Sequence, residues 1–213
     1  FGFDTVLGPD ATQDAVFRTV GKPVSEACLE GYNGAVFAYG QTGSGKTYTV
    51  MGPNADSEDG PEDLRGLLPR VLEFVFSEIA RDERKAGSTL KFVCRATFME
   101  VYNEGIFDLL DETSSGLHIR ESLQRGVYVE GLIEESVGSP EEAEAVMRTG
   151  ARNRRVGSTA MNRESSRSHA VFTLTIEAQE TKDGITRSRY ARFHLVDLAG
   201  SERQKQTGAV GSR

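Results

Sequence analysis

The chain has 213 residues, 38% of them apolar and 27% charged, enough for one large α/β domain or two small ones. No apolar run approaches the roughly 20 residues that a membrane-spanning helix needs. The net charge of −7 argues against nucleic acid as the main partner, since domains that bind it are usually basic.

The expected elements follow in chain order. A helix runs from Asp10 or Thr12 to Gly31, kinked or broken at Pro23. Ala35-Val36-Phe37-Ala38-Tyr39 is short, β-branched and aromatic, and predicts a buried strand over 34–39. A helix starts near Gly45. Asp56 to Asp63 is acidic, holds Gly60 and Pro61, and predicts a solvated loop. Leu67, Leu68, Val71, Leu72, Val75, Phe76 and Ile79 recur at helical spacing and set a helix from Leu67 to Arg81. Lys91 to Tyr102 predicts a long strand. Leu117-His118-Ile119 and Val127 to Val137 predict short strands around a turn at Gln124-Arg125-Gly126. Ser139-Pro140-Glu141-Glu142 predicts a capped helix start, with Ser139 as N-cap, Pro140 at the first helical position and Glu142 closing a capping box, the helix running to about Arg155. A polar stretch from Gly157 to Ser168 follows. His169 to Gln179 and Arg189 to Leu198 alternate apolar and polar residues about Asp183-Gly184 and predict an antiparallel hairpin. No internal repeat or domain boundary stands out, so the expectation is one α/β domain with a mixed central sheet and helices on both faces. Cys28 and Cys94 lie among apolar residues and read as buried free thiols of a reducing, intracellular compartment. With His118, His169 and His194 they show no zinc spacing, so no structural metal is expected.

Gly40-Gln41-Thr42-Gly43-Ser44-Gly45-Lys46-Thr47 has the spacing G-x-x-x-x-G-K-[ST] of a loop that wraps a nucleotide triphosphate. Its context is right, a strand before it and a helix after it. Glycines let the backbone approach the phosphates, and the loop N–H groups face their charge. Lys46 would reach the β- and γ-phosphates, and the Thr47 hydroxyl would sit on Mg²⁺.

Two later segments sharpen this. One is Asn162-Arg163-Glu164-Ser165-Ser166-Arg167-Ser168-His169, whose serines supply hydroxyls for Mg²⁺ and for an attacking water. The other is Asp197-Leu198-Ala199-Gly200-Ser201-Glu202, directly after the apolar run His194-Leu195-Val196. An Asp at a strand end can hold a Mg²⁺ shell through water. A Gly three residues on can offer its N–H to the γ-phosphate, as in switching NTPases. Arg167 and Glu202 are candidates for an ion pair latching the two segments.

Tyr32 to Thr47, Asn162 to His169 and Asp197 to Glu202 together resemble the phosphate loop, switch I and switch II of the kinesin motor domain. The resemblance continues in Glu100-Val101-Tyr102-Asn103-Glu104, Asp108-Leu109-Leu110 and Asn153-Arg154-Arg155-Val156, and covers nearly the whole chain. It implies a P-loop NTPase fold and an ATPase that acts at microtubules in the cytoplasm. The stretches Leu64-Arg65-Gly66 and Ser201 to Lys205 are similar to those of mitotic, spindle- or phragmoplast-associated members.

Carried over residue by residue, the resemblance implies that Lys46 binds the β- and γ-phosphates, and that Thr47 and Ser166 ligate Mg²⁺ while Asp197 holds it through water. It implies that Ser165 helps position the lytic water and that Gly200 senses the γ-phosphate. Arg167 and Glu202 would close as a salt bridge for hydrolysis, and Tyr48 would lie near the adenine. Gly40, Gln41, Thr42, Gly43, Ser44 and Gly45 form the rest of the nucleotide loop.

The family's first strand, with its adenine-contacting motif, is expected before Phe1; its main track-binding helices, relay helix and neck linker are expected after Arg213. Gly208 to Arg213 departs from the family's continuation. The chain is thus expected to be a partial motor domain over 1–213, cut at both ends and poor at folding and hydrolysis when isolated. Dimerisation would use regions outside it, and no membrane contact is expected from this segment. Arg125, in the turn from Arg120, is the candidate track contact, its alternative being a solvated turn arginine. The competing reading is a catalytically silent kinesin-like module that binds microtubules or a scaffold, against which stand the intact Lys46, Thr47, Ser165, Ser166, Arg167, Asp197, Gly200 and Glu202.

Overall fold

The structure, a computed structural model, describes residues 2–53, 55–56, 61–114, 116–123, 126–160 and 165–202, with the side chains of 157–160 and 165 outside that description. The first helical stretch starts at the Thr12 N-cap, whose hydroxyl accepts from the Ala15 N–H at 3.2 Å. It comprises α1 (Gln13–Val16), a π-helical turn (Phe17–Gly21) and α2 (Lys22–Leu29) without a break. Pro23 does not end it. The wide turn places the proline in the first turn of α2, where the missing N–H is least costly. Strand β1 (Gly34–Ala38), the short helix α3 (Lys46–Val50) and α4 (Leu67–Ala86) follow. The seven apolar residues of α4 predicted to face inward are all buried, and the helix continues past Arg81 to a C-cap at Gly87. The end of the acidic segment is not merely solvated: Glu62–Leu64 forms a 3₁₀ turn whose Glu62 and Asp63 carbonyls accept from Arg70 Nη2 at 3.1 and 3.0 Å.

Strands β2 (Leu90–Tyr102) and β3 (Gly105–Asp108) form a hairpin through Asn103 and Glu104, both at positive φ (45° and 64°). Strands β4 (His118–Ser122) and β5 (Gly126–Glu130) make a separate two-stranded sheet; the turn residues Gln124 and Arg125 lie outside the described residues. β6 (Glu135–Val137) precedes α5 (Pro140–Ala160), which is longer than the sequence pattern suggests. Its cap is shifted by one from the expected box. The Glu142 N–H donates to Ser139 Oγ at 3.2 Å, but the Glu142 carboxylate accepts from the Gly138 N–H at 2.7 Å. β7 (His169–Lys182) and β8 (Ile185–Asp197) form the predicted hairpin, longer at its tip and turning at Asp183-Gly184 with φ of 52° and 76°.

The main sheet has the order β1-β8-β7-β2-β3, with β6 also on β2. Only the β1–β8 pairing is parallel among those described, so the sheet is mixed, as expected for a P-loop NTPase fold. Ala96, Phe98, Phe172, Leu174, Phe193 and Leu195 lie on one face and form one cluster with Leu68, Val71, Leu72 and Val75 of α4 and with Cys28, Ala143 and Met147. Burial of this kind contributes about 1.5–3 kcal/mol per large side chain. The opposite face carries Ala35, Phe37, Val171, His194 and Val196 around an open apolar groove, with Phe37 61% exposed. Cys28 and Cys94 are free and buried, and burial pushes their thiols up to about 11 and about 12.

Candidate functional site

The parallel pairing of β1 with β8 places the ends of both strands side by side, Ala38 opposite Asp197. The loop after β1 and the segment after β8 therefore leave the sheet at the same edge, where crevices of α/β sheets form. The phosphate loop turns into α3 at Gly45, whose φ of 91° a side chain would strain. A cavity of about 260 Å³ lies over the loop, lined by Thr42, Gly43, Gly45, Lys46, Thr47, Tyr48, Ser166 and Leu198. The three sequence motifs thus meet at one concave surface.

Polar contacts tie them together. The Thr47 hydroxyl donates to Asp197 Oδ2 at 2.7 Å. Asp197 is 1% exposed, and its Oδ1 is buried with no hydrogen-bond partner among the described residues. The Gly200 N–H donates to the Ser166 carbonyl at 2.8 Å, and the Ser201 N–H to the Gly40 carbonyl at 3.0 Å. The Ala199 N–H donates to His169 Nδ1 at 3.0 Å. Lys46 Nζ donates to the Gln41 carbonyl at 2.9 Å, and the Ser44 N–H to the same carbonyl at 3.2 Å, closing the loop on itself. Tyr48 is half exposed, and its carbonyl accepts from the buried Gln13 side chain at 2.8 Å.

Glu202 meets the phosphate loop. Its carboxylate accepts from the Thr42 N–H at 2.9 Å and from the Thr42 hydroxyl, rather than meeting Arg167. Thr42 offers two adjacent donors to one carboxylate, while Arg167 is exposed. The Thr42 hydrogen bonds hold the Glu202 carboxyl below its ordinary value. The Ser165 side chain and residues Asn162 to Glu164 lie outside the described residues, as does the candidate track contact Arg125.

Sequence reasoning gave no role to Arg154 or Glu100 and counted Ser168 only among the hydroxyls of its segment; the three form a buried set behind Asp197. Arg154 Nη1 lies 2.8 Å from Asp197 Oδ2, and Nε lies 3.4 Å from Glu100 Oε1. Arg154 Nη2 donates to the Ser168 carbonyl at 3.1 Å, and Ser168 Oγ donates to Glu100 Oε1 at 2.6 Å. A signal existed: a glutamate within the apolar β2 and an arginine inside α5 are costly to bury unless paired. The partners, 43 and 68 residues apart, were beyond local patterns.

Comparison with known proteins agrees with the geometry. The kinesin motor domain family model matches residues 1–213. "Kinesin-like protein KIF15" of Strongylocentrotus purpuratus is 53% identical over 213 residues, all of this chain and 15% of that protein. The Homo sapiens protein of that name is 54% identical over the same span, 100% of this chain and 15% of that protein. "Kinesin-like protein KIN-12D" of Arabidopsis thaliana is 50% identical over 214 residues, 100% of this chain and 8% of that protein. A solved structure described as "Structure of a fast kinesin: Implications for ATPase mechanism and interactions with microtubules" superposes with a TM-score of 0.86 at 43% identity, covering 100% of this chain and 57% of that one. The chain therefore spans about one seventh of the length of the curated KIF15 relatives, 15% in each case quoted.

Proposed function

The chain belongs to the kinesin motor-domain family, and on that premise we propose that it binds and hydrolyses Mg-ATP and couples this to microtubule binding and movement. The observation that carries the reading is the convergence of Lys46, Thr47 and Ser166 on one cavity, with the Thr47 hydroxyl bonded to Asp197 and the Gly200 N–H to the Ser166 carbonyl.

The donor set fits Mg²⁺: two hydroxyls, from Thr47 and Ser166, and a buried carboxylate whose Oδ1 lacks a hydrogen-bond partner among the described residues. Thr47 and Ser166 would ligate the cation and Asp197 would hold it through water. Mg²⁺ supplies neutralisation of charge on the β- and γ-phosphates. Lys46 binds the same phosphates, exchanging the Gln41 carbonyl for phosphate oxygens. Gly40 to Gly45 cradle them with backbone N–H groups, and Tyr48 borders the base.

Gly200 reads the γ-phosphate by moving its N–H from the Ser166 carbonyl to the phosphate. Ser165 orients the attacking water. Glu202 leaves Thr42 to pair with Arg167, which fixes the two segments for hydrolysis. Catalysis on this reading is positioning plus electrostatics.

Partner and place follow the family: microtubules, and hence the cytoskeleton, with Arg125 as a candidate contact. A spindle or phragmoplast role is supported by the wording at Leu64-Arg65-Gly66 and at Ser201 to Lys205. Dimerisation is assigned to regions outside this chain, and neither nucleic acid nor membrane is assigned as a partner of this segment. Among the described residues no helix is long and apolar enough to cross a membrane.

The test is Mg²⁺-dependent ATP turnover by the protein that carries this chain, with and without microtubules. Microtubule-stimulated turnover, abolished by Lys46→Ala, is expected. Microtubule binding without turnover in the wild type would establish the catalytically silent module instead.

A further inference from the structure

The turn after β8 is held by four successive main-chain donors. The Leu198 N–H donates to the Ala38 carbonyl at 3.3 Å and the Ala199 N–H to His169 Nδ1 at 3.0 Å. The Gly200 N–H donates to the Ser166 carbonyl at 2.8 Å and the Ser201 N–H to the Gly40 carbonyl at 3.0 Å. Three of these acceptors are main-chain carbonyls, which any residue supplies. The fourth is a side chain, so its identity decides whether the bond forms.

His169 is the first residue of β7 and lies opposite Val101 of β2, so the sheet fixes its backbone. Its ring is half-buried and lines the apolar groove with Val101, Val171, Val196 and Leu198. Leu198 also lines the nucleotide cavity, so the turn is the wall between the two. Packing against those neighbours would be served equally by a leucine. Only an acceptor in the place of Nδ1 answers Ala199, and a ring that accepts there carries its proton at Nε2.

The peptide bearing the Gly200 N–H joins Ala199 to Gly200. It can rotate about the Ala199 ψ and the Gly200 φ, which glycine leaves free, while the Ala199 N–H stays on the ring. We propose that His169 is a positioning residue for γ-phosphate recognition: it pins the Ala199 N–H so that the next N–H, that of Gly200, swings from Ser166 to the phosphate while the rest of the turn stays in place. This rests on the Mg-ATP reading above. His169→Asn keeps an acceptor close to the place of Nδ1. His169→Leu keeps the apolar packing and has no acceptor, and His169→Gln carries its amide oxygen farther out, nearer the place of Nε2.

The experiment measures the affinities of ADP and of the non-hydrolysable β,γ-imido analogue of ATP at saturating Mg²⁺, using the whole protein that carries this chain, alongside its thermal unfolding. His169→Leu and His169→Gln are expected to weaken the analogue about fivefold relative to ADP, the worth of one hydrogen bond. His169→Asn should keep the wild-type ratio within about twofold. An unchanged ratio in a folded His169→Leu or His169→Gln overturns the proposal, even if thermal stability falls, because equal loss for both nucleotides marks a purely structural contact. A folded His169→Asn that behaves like His169→Leu overturns it too. A wild-type protein that binds neither nucleotide would instead sink the Mg-ATP reading, and this proposal with it.

Discussion

The Gly200 N–H donates to the Ser166 carbonyl at 2.8 Å, joining the segment after β8 to the segment before β7 by one backbone hydrogen bond. Neither group needs a side chain for this contact, so the bond constrains the path of both segments rather than their composition. What the sequence must provide is room. A Cβ built on Gly200 would lie 2.4 Å from Thr42 Oγ1 and 2.5 Å from both Glu202 carboxylate oxygens.

Gly200→Ala should therefore displace Glu202 from Thr42 without disturbing the core. The atoms in the way belong to exposed side chains that can move. The expected result is ATP turnover lower on the order of 10²-fold, since small misplacements of positioning groups cost that much. The thermal midpoint should stay within about 2 °C, as for surface changes generally. Steady-state turnover and a circular-dichroism melt check both. A melt lowered by 10 °C would count against this account.

Thr42→Val tests the other end of the same contact. The side-chain and backbone donors of Thr42 depress the Glu202 carboxyl below its ordinary 4.5. Their link to the phosphate loop is present above the ordinary carboxylate range and is lost as pH falls through the depressed value. Removing the hydroxyl should move the Glu202 midpoint upward, measured by carboxyl-carbon NMR. An unmoved midpoint would mean that the hydroxyl contact does not form in solution.

Asp108→Ala should destabilise the domain. The Asp108 carboxylate accepts from the Leu110 N–H at 2.8 Å and from the Ile133 N–H at 2.7 Å, pinning the segment before β6 to the end of β3. Leaving two such donors unpaired costs about 2–4 kcal/mol at neutral pH. Burial raises the Asp108 carboxyl above its ordinary 3.8 in spite of those donors. A raised acid holds its proton better folded than unfolded, so its contribution to stability falls as pH rises from about 3.8 through the folded value. Urea unfolding across pH should show the loss, and this part of the pH slope should vanish in the variant.

Cys28 and Cys94 should resist alkylation in the native protein at pH 8. Burial lifts the thiols to about 11 and about 12, so less than about one part in a thousand of each is ionised there. Iodoacetamide labelling with mass-spectrometric mapping should find neither residue modified until denaturant is added. Rapid native labelling of either would show that the α2 or β2 packing opens readily.

The phosphate loop was legible in the sequence because its chemistry is local: glycines, Lys46 and Thr47 at fixed offsets after a β-branched strand. The β7–β8 hairpin was legible for the same reason, since Asp183-Gly184 meets the positive-φ demand of a two-residue turn. The β2–β3 hairpin was missed because Asn103-Glu104 makes the same kind of turn without glycine. The π turn before Pro23 was equally hidden, as nothing in the helical spacing marks where a turn widens.

By itself, then, the sequence determined the periodic elements, the nucleotide loop and the two motif segments, all set by steric and capping rules that act over a few residues. Only the tertiary structure decided how those segments pair. Glu202 meets Thr42 across 160 residues, and Arg154 meets Asp197 across 43 and Ser168 across 14. Such pairings depend on which strand ends the sheet brings side by side. Parallel β1–β8 and antiparallel β7–β8 pairing place Ala38, Asp197 and Ala170 in one row, and the charged groups beside that row take partners by proximity rather than by spacing along the chain.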